Sequence, residues 1–437
     1  MSKVTSVFFF VLTMIWFGLA WAQDTLVVDI YGPGQEKLNI FLADPLMKGG
    51  NGTAPAFATR VQDLIKNNLS FLPFLHQTQS KDILGGAQIA GIQGKDIDFK
   101  KFRLSKVDLL LTIGWDDRPG ILGSVEIRAF EVFSRKLILG KGYLVQTKEQ
   151  LPLVAKKFCA ELMRVLTGKD KFFRSTLAFV RRQEGKKEIC LLFPLSGEVK
   201  QITNLGGLAM SPAWSFDGQK IVFTFLKNDR HFLGLWDRQT GQVKSYKLPG
   251  NTCISPVFTP EQKIAVSIDP EGNPDIYLVQ RDMKLDRALV KNWAIDISPS
   301  FDSSGKKMVF VSSRLGNPHI FLLNVQENRI ERVTYAGKYN TSPSISPDGN
   351  WVTFSRRTPE GHRIFVLDLR TGMEKQISFG PGNDEDPSFG PDGYFIVFTS
   401  NRSGQYKLYL TTRGGNEPRL LPTGQGEATA PSWGVFE

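Results

Sequence analysis

Five segments of the chain are copies of one unit: SPAWSFDGQKIVFTF from Ser211, SPVFTPEQKIAVSID from Ser255, SPSFDSSGKKMVFVSSR from Ser298, SPSISPDGNWVTFSRR from Ser342 and DPSFGPDGYFIVFTSNRSG from Asp386. Their prolines, Pro212, Pro256, Pro299, Pro343 and Pro387, lie 44, 43, 44 and 44 residues apart, and a last partial copy, APSWG, puts Pro431 another 44 on. A period of this length means that one supersecondary unit, unable to bury its apolar face alone, is stacked against its own copies.

Each copy reads as four short strands. A P-x-[WFI]-S strand is followed by a tight turn (Asp217-Gly218, Asp348-Gly349, Asp392-Gly393) and an apolar run such as residues 221–225, which suits a strand buried on both faces. A loop rich in Arg, Gly and Asn leads to an alternating third strand (residues 320–323, 364–369 and 408–410), and a second turn leads to a fourth, as at residues 374–377. Four strands in about 44 residues are the content of a β-propeller blade. The run STLAFV at residues 175–180 lies 44 residues before residues 219–224 and lacks a proline-led first strand, which residues 431–435 can supply from the other end. The expectation is therefore six blades, with the C-terminal strand closing the ring and removing two free sheet edges. A linear solenoid would not need a shared first blade.

Upstream the repeat stops, and strands mix with helices. Residues 25–31 and 38–42 read as strands, residues 55–69 as an amphipathic helix, residues 107–113, 124–130 and 136–145 as strands, and residues 151–166 as a second helix that Gly168 ends. The first 22 residues differ again: Lys3 precedes an apolar run over residues 7–19 that closes on Ala20-Trp21-Ala22, a leader with cleavage between Ala22 and Gln23. That run is shorter than the roughly 20 residues of a spanning helix. The predicted organisation is a signal peptide at 1–22, an α/β domain at 23–168 and an all-β propeller at 169–437, with so short a joint at residues 169–174 that the two domains should pack together.

Motifs of catalysis are missing. No serine has glycines two positions before and after it, and there is no phosphate loop, dinucleotide fingerprint or H-E-x-x-H. The four histidines, His76, His231, His319 and His362, are scattered, the last three near equivalent loop positions of their repeats. Three cysteines, Cys159, Cys190 and Cys253, without C-x-x-C signal neither a redox pair nor a zinc site. No cofactor, metal or catalytic residue is expected. The trio Asp384-Glu385-Asp386 reads as a solvated loop, with cation binding as the alternative. Losing the leader removes Lys3 and lowers the formal charge from +11 to +10; the charges are dispersed, and export argues against nucleic acid. What remains is a binding protein, whose loops leading into each first strand (residues 204–211, 250–255, 293–298, 340–342 and 383–386) vary while the strand cores repeat.

These features together resemble the TolB family, periplasmic components of the Tol-Pal envelope system. The resemblance rests on the order of leader, α/β region and propeller, on the repeated SPxWSxDGxxIxF and TSNRSGxxxLY patterns, on the closing APSWG, and on LVVDIYGPGQEKLNIFLADP near the start. It implies a non-enzymatic role in outer-membrane integrity and constriction at division. The partners it implies are the lipoprotein Pal, facing Thr252, Ser255, Ile297 and Ser298 in the lead-in loops, and TolA. The TolA-contacting segment would be Asp24-Thr25-Leu26-Val27-Val28-Asp29-Ile30-Tyr31-Gly32-Pro33-Gly34. A propeller that binds carbohydrate or a peptidoglycan fragment is the competing reading, with Trp293, Tyr335 and Tyr339 as its aromatic candidates.

Overall fold

The computed structural model describes residues 37–48 and 54–435. The leader, its cleavage site at Ala22 and Gln23, and the segment 24–34 lie outside the described residues.

The N-terminal part is one mixed sheet with helices against it. Its strands are β1 (Leu38–Leu42), β2 (Leu46–Met47), β3 (Leu75–Gln77), β4 (Leu109–Asp116), β5 (Gly123–Glu131) and β6 (Lys136–Val145), in the order β3-β1-β4-β5-β6 with β2 against β4. The period-2 rule decides what each face holds. Ile40, Leu42, Leu109, Leu111 and Ile113 point to one side, where α1 (Ala56–Leu69) lays Ala58, Val61, Ile65 and Leu69 against them. Phe41, Ala43 and Leu110 point to the other, packing on Phe99 and Phe102 of the short α2 (Phe99–Leu104). A third helix, α3 (Leu151–Thr167), buries Val154, Phe158, Leu162 and Leu166 on the α1 side and ends at Gly168. At φ 75° that residue is in the left-handed region that stops a helix and favours glycine. The expected helices are present, as are the strands expected at 38–42, 107–113, 124–130 and 136–145, while the one expected at 25–31 lies outside the described residues; β2, β3 and α2 are additions, too short to imprint a period.

From Ser175 onward the chain is nearly all strand. Four four-stranded antiparallel sheets begin at Cys253, Asp296, Asn340 and Asp384. An eight-stranded sheet holds two further sets. One is β7 (Ser175–Gln183), β8 (Lys186–Phe193) and β9 (Glu198–Gln201) with the C-terminal strand Glu427–Val435; the other runs from Leu208–Trp214 through Val243–Tyr246. They join only where Leu208 meets Lys187. The C-terminal strand pairs antiparallel with β7, Trp433 opposite Leu177 and Val435 opposite Ser175. It also lies against Asp384–Phe389 and Leu208–Trp214, the first strands on either side of it. Serines one past the proline tie neighbouring units: Ser300, Ser344 and Ser432 accept the backbone N–H of Ile345, Phe389 and Trp214 at 3.2, 3.1 and 3.3 Å.

A single-turn 3-10 segment, Lys171–Arg174, joins the two parts, and they pack as its brevity predicts. Phe172 stacks on Phe395 at 4.1 Å and meets Phe173, Trp433 and Phe71 at ring distances of 5.3, 6.1 and 6.1 Å. Phe74 lies edge-on to Tyr394, and the Arg419 guanidinium sits 3.7 Å from the Phe71 ring centre. Asp392, from an Asp-Gly turn, accepts the N–H groups of Lys171 and Phe172 at 3.1 and 2.8 Å. The N-terminal part therefore docks on the side carrying the Asp-Gly turns.

Candidate functional site

Docking on the turn side keeps the described N-terminal residues off the other side of the propeller, because each first strand starts where the second ends and both lie opposite the Asp-Gly turns. The lead-in loops are shorter than expected. The first strands already begin at Leu208, Cys253, Asp296, Asn340 and Asp384. Of the residues placed in these loops, only Thr252 is in one; Ser255, Ile297 and Ser298 are strand residues. The strands extend because their backbone stays paired up to a bulge, and the bulge falls at the residue before each proline.

Ser211, Ser255, Ser298, Ser342, Asp386 and Ala430 have φ of 49, 51, 57, 50, 48 and 49°. A residue before proline ordinarily stays extended, and a left-handed non-glycine costs about 1 kcal/mol or more. The same cost recurs six times, once at each bulge, where the extra residue turns a side chain inward. These side chains meet across neighbouring units. Ser255 Oγ is 3.4 Å from Ser298 Oγ, and Ser342 donates to Asp386 Oδ1 at 3.0 Å. Two of the residues implied by the family resemblance, Ser255 and Ser298, are thus brought together. Thr252 is held apart, its N–H and hydroxyl donating to Asp269 at 2.6 and 3.0 Å, and Ile297 is half-buried opposite Val311.

Two residues before the bulge, buried charge pairs stiffen the wall. Arg402 donates to both oxygens of Asp384 at 2.8 and 2.9 Å, its guanidinium over Phe398 and Tyr409; Arg314 does the same for Asp296 at 3.2 and 3.1 Å, over Phe310 and Phe321. In the unit between them Asn340 takes the place of the carboxylate and accepts from Arg356 at 2.7 Å. Burial pushes the Asp296 carboxyl above its ordinary range even against this pairing.

The acidic trio is therefore no solvated loop: Asp384 is buried and paired, Asp386 is bonded to Ser342, and Glu385 is half-buried. Burial raises the carboxyls of both Glu385 and Asp386, and their mutual charge adds to the Glu385 shift. His362 Nδ1 stands 3.7 Å from Glu385. Among the described residues no three His, Cys, Asp or Glu side chains are gathered to hold a metal. The three histidines read as loop residues also lie in strands, and His319 is buried, its Nε2 accepting from Arg332 at 2.9 Å. All three cysteines are free and buried; desolvation pushes Cys190 up to about 11 and Cys253 up to about 12.

Around this wall the loops carry exposed apolar side chains. Trp293 and Tyr335 are 72% and 73% exposed, as the sequence suggested, and Ile295, Leu315 and Phe379 join them. Sequence reasoning missed the last three, because an isolated aliphatic or Phe between strands is indistinguishable from a strand end. Ile295 and Leu315 come from facing loops, since Ser313 Oγ accepts the Ile295 N–H at 3.1 Å. An apolar rim around a rigid polar wall suits a protein partner better than a small molecule.

Comparison with known proteins bears on the family and the fold. The TolB beta propeller domain model matches residues 163–437. The Tol-Pal system protein TolB of Nitratidesulfovibrio vulgaris is 46% identical over 296 residues, 68% of this chain and 67% of that one. A protein TolB homolog of Chlorobium luteolum is 31% identical over 306 residues, 70% and 69% of the two chains. The crystal structure of TolB from Acinetobacter baumannii superposes with a TM-score of 0.77, covering 92% of this chain and 97% of that one at 20% identity.

Proposed function

Since this chain belongs to the TolB family, we propose that it is the protein-binding component of a Tol-Pal envelope system, working by binding rather than catalysis in the periplasm. In this reading it links TolA of the inner membrane to the outer-membrane lipoprotein Pal, maintaining the outer membrane and supporting its constriction at division. The organisation is a leader at 1–22, an α/β domain at 23–168 and a six-bladed propeller at 169–437. Support for six blades comes from the two sets within the eight-stranded sheet. Support for ring closure comes from the C-terminal strand, which lies between the first strands beginning at Asp384 and Leu208.

The observation that carries the reading is the face opposite the domain junction. Pal would sit there, on the inner wall at Ser255 and Ser298 with Thr252 and Ile297 beside them. TolA would engage residues 24–34, whose alternating stretch Leu26-Val27-Val28-Asp29-Ile30 would add a strand to a partner sheet. No described helix is long and apolar enough to cross a membrane.

The test is a pull-down of residues 23–437 against the soluble domain of the same organism's Pal, beside Ser255→Arg. Capture that the variant abolishes supports both partner and face. Failure of the unmodified protein to capture Pal moves the function toward the carbohydrate reading, for which Trp293 and Tyr335 supply exposed aromatic surface.

A further inference from the structure

At one end of the N-terminal sheet three loops are tied together. Ser105, just past α2, accepts the Leu84 N–H at 2.8 Å, and Val132, just past β5, donates to Asp108 O at 2.9 Å. Three large apolar side chains stand exposed here: Leu84 in its loop at 58%, Leu104 at the end of α2 at 59% and Phe133 just past β5 at 78%. Their neighbours Ile83, Phe102 and Val132 are buried, so the core is already supplied and does not account for them.

The same loops are crowded with cations. Lys100, Arg103, Lys106 and Arg135 are exposed, and none makes an ion pair with a described residue. Lys106 and Arg135 occupy left-handed turns, at φ 56 and 58°. Lys101 alone is engaged, donating to Gln88 O and lying over the Phe102 ring. The carboxylates nearby pair with none of these cations: Asp82 accepts the Gln79 N–H, Asp98 caps α2 through the Lys100 N–H, Asp108 accepts the Asn39 N–H, and Glu131 accepts from Ser134.

We propose that this patch docks on the surface of an anionic lipid bilayer. Three separate apolar tips stand among cations that make no ion pair with a described residue. They match a headgroup layer, where apolar tips enter the acyl boundary and cations meet phosphates. The patch lies in the N-terminal part, apart from the propeller face assigned to Pal, so the two contacts are independent.

The test is flotation of the mature chain with vesicles of phosphatidylcholine alone or mixed with phosphatidylglycerol. Binding is expected only with the anionic lipid and falls steeply with salt, since exposed charges are screened beyond about 10 Å at 0.1 M. Reversing Lys100, Arg103 and Lys106 to Glu should weaken partition roughly a hundredfold or more. The same charge change made at Lys200, Lys244 and Lys338 on the propeller should shift it by no more than roughly threefold, as those sites lie outside the patch. Phe133→Asp, an exposed position that leaves the core untouched, should also weaken it. Absence of flotation, or equal loss from both triple variants, overturns the proposal. Self-association that Phe133→Asp abolishes, without lipid binding, would replace the bilayer with a second copy of the chain.

Discussion

Replacing Phe172 by Ala should loosen the chain at the domain junction before anywhere else. The side chain is 2% exposed, stacked on Phe395 at 4.1 Å and bordered by Phe71, Phe173 and Trp433, contributed by both parts of the molecule. Removing a ring so enclosed costs about 3–5 kcal/mol in lost burial and residual cavity. The hydrogen bond from its N–H to Asp392 is backbone-made and survives. At 1.4 kcal/mol per factor of ten, the lower figure already raises the open population roughly a hundredfold. Lys169, Lys171 and Arg174 place tryptic sites in this segment, so native-state proteolysis reads that population directly when cleavage is slow relative to reclosing. The expected result is cleavage at the junction faster by about two orders of magnitude, with the two fragments individually resistant. A cleavage rate within roughly twofold of the unmodified protein would refute the argument that this ring cluster holds the two parts together.

Asp392 offers a pH test at the same place. Burial pushes its carboxyl up to about 6, so the folded state holds this proton more tightly than the unfolded chain. Its stabilising contribution is complete below its ordinary pKa of 3.8 and is lost as pH rises through about 6; Asp392→Asn should flatten that slope, by about 2 kcal/mol in urea unfolding compared at pH 4 and pH 7. Arg402→Ala leaves Asp384 buried without its partner and should cost about 3–5 kcal/mol, whereas Asp384→Asn combined with Arg402→Met should cost clearly less; equal losses would mean the pair is not coupled. Deleting residues 427–437 strips β7 of one of its two partners, leaving β8, and hydrogen exchange should show the amides of Ser175–Gln183 that face the lost strand losing protection first; unchanged protection there would contradict the pairing.

The repeat was legible because it is written in residues whose role is local: prolines at fixed spacing, Asp-Gly turns and apolar second strands. The α/β pattern before it was legible wherever an element was long enough to show its period, as in α1, α3 and β4. The inner wall was not, since a serine before proline reads as extended chain, and only the bulge formed with the second strand forces it left-handed. Asp384 was misread for a related reason. Its partner Arg402 stands in the TSNR pattern of the same unit, but the hairpin that brings them together is a matter of register, and a carboxylate trio taken alone looks like a solvated loop. The histidines went the same way, placed in loops when the third strands extend to include them.

The left-handed bulges have a consequence for how such a propeller can diversify. A residue held at φ near 50° between a strand and a proline cannot be β-branched or bulky at the backbone without large strain, and the six positions in this chain use only serine, aspartate and alanine. The inner wall thus has a short chemical alphabet. Lineages that share this backbone can vary the wall's charge and hydroxyl content but little of its shape. Discrimination between one partner and another has to be written in the rim, where Trp293, Leu315, Tyr335 and Phe379 stand on loops that carry no such restriction.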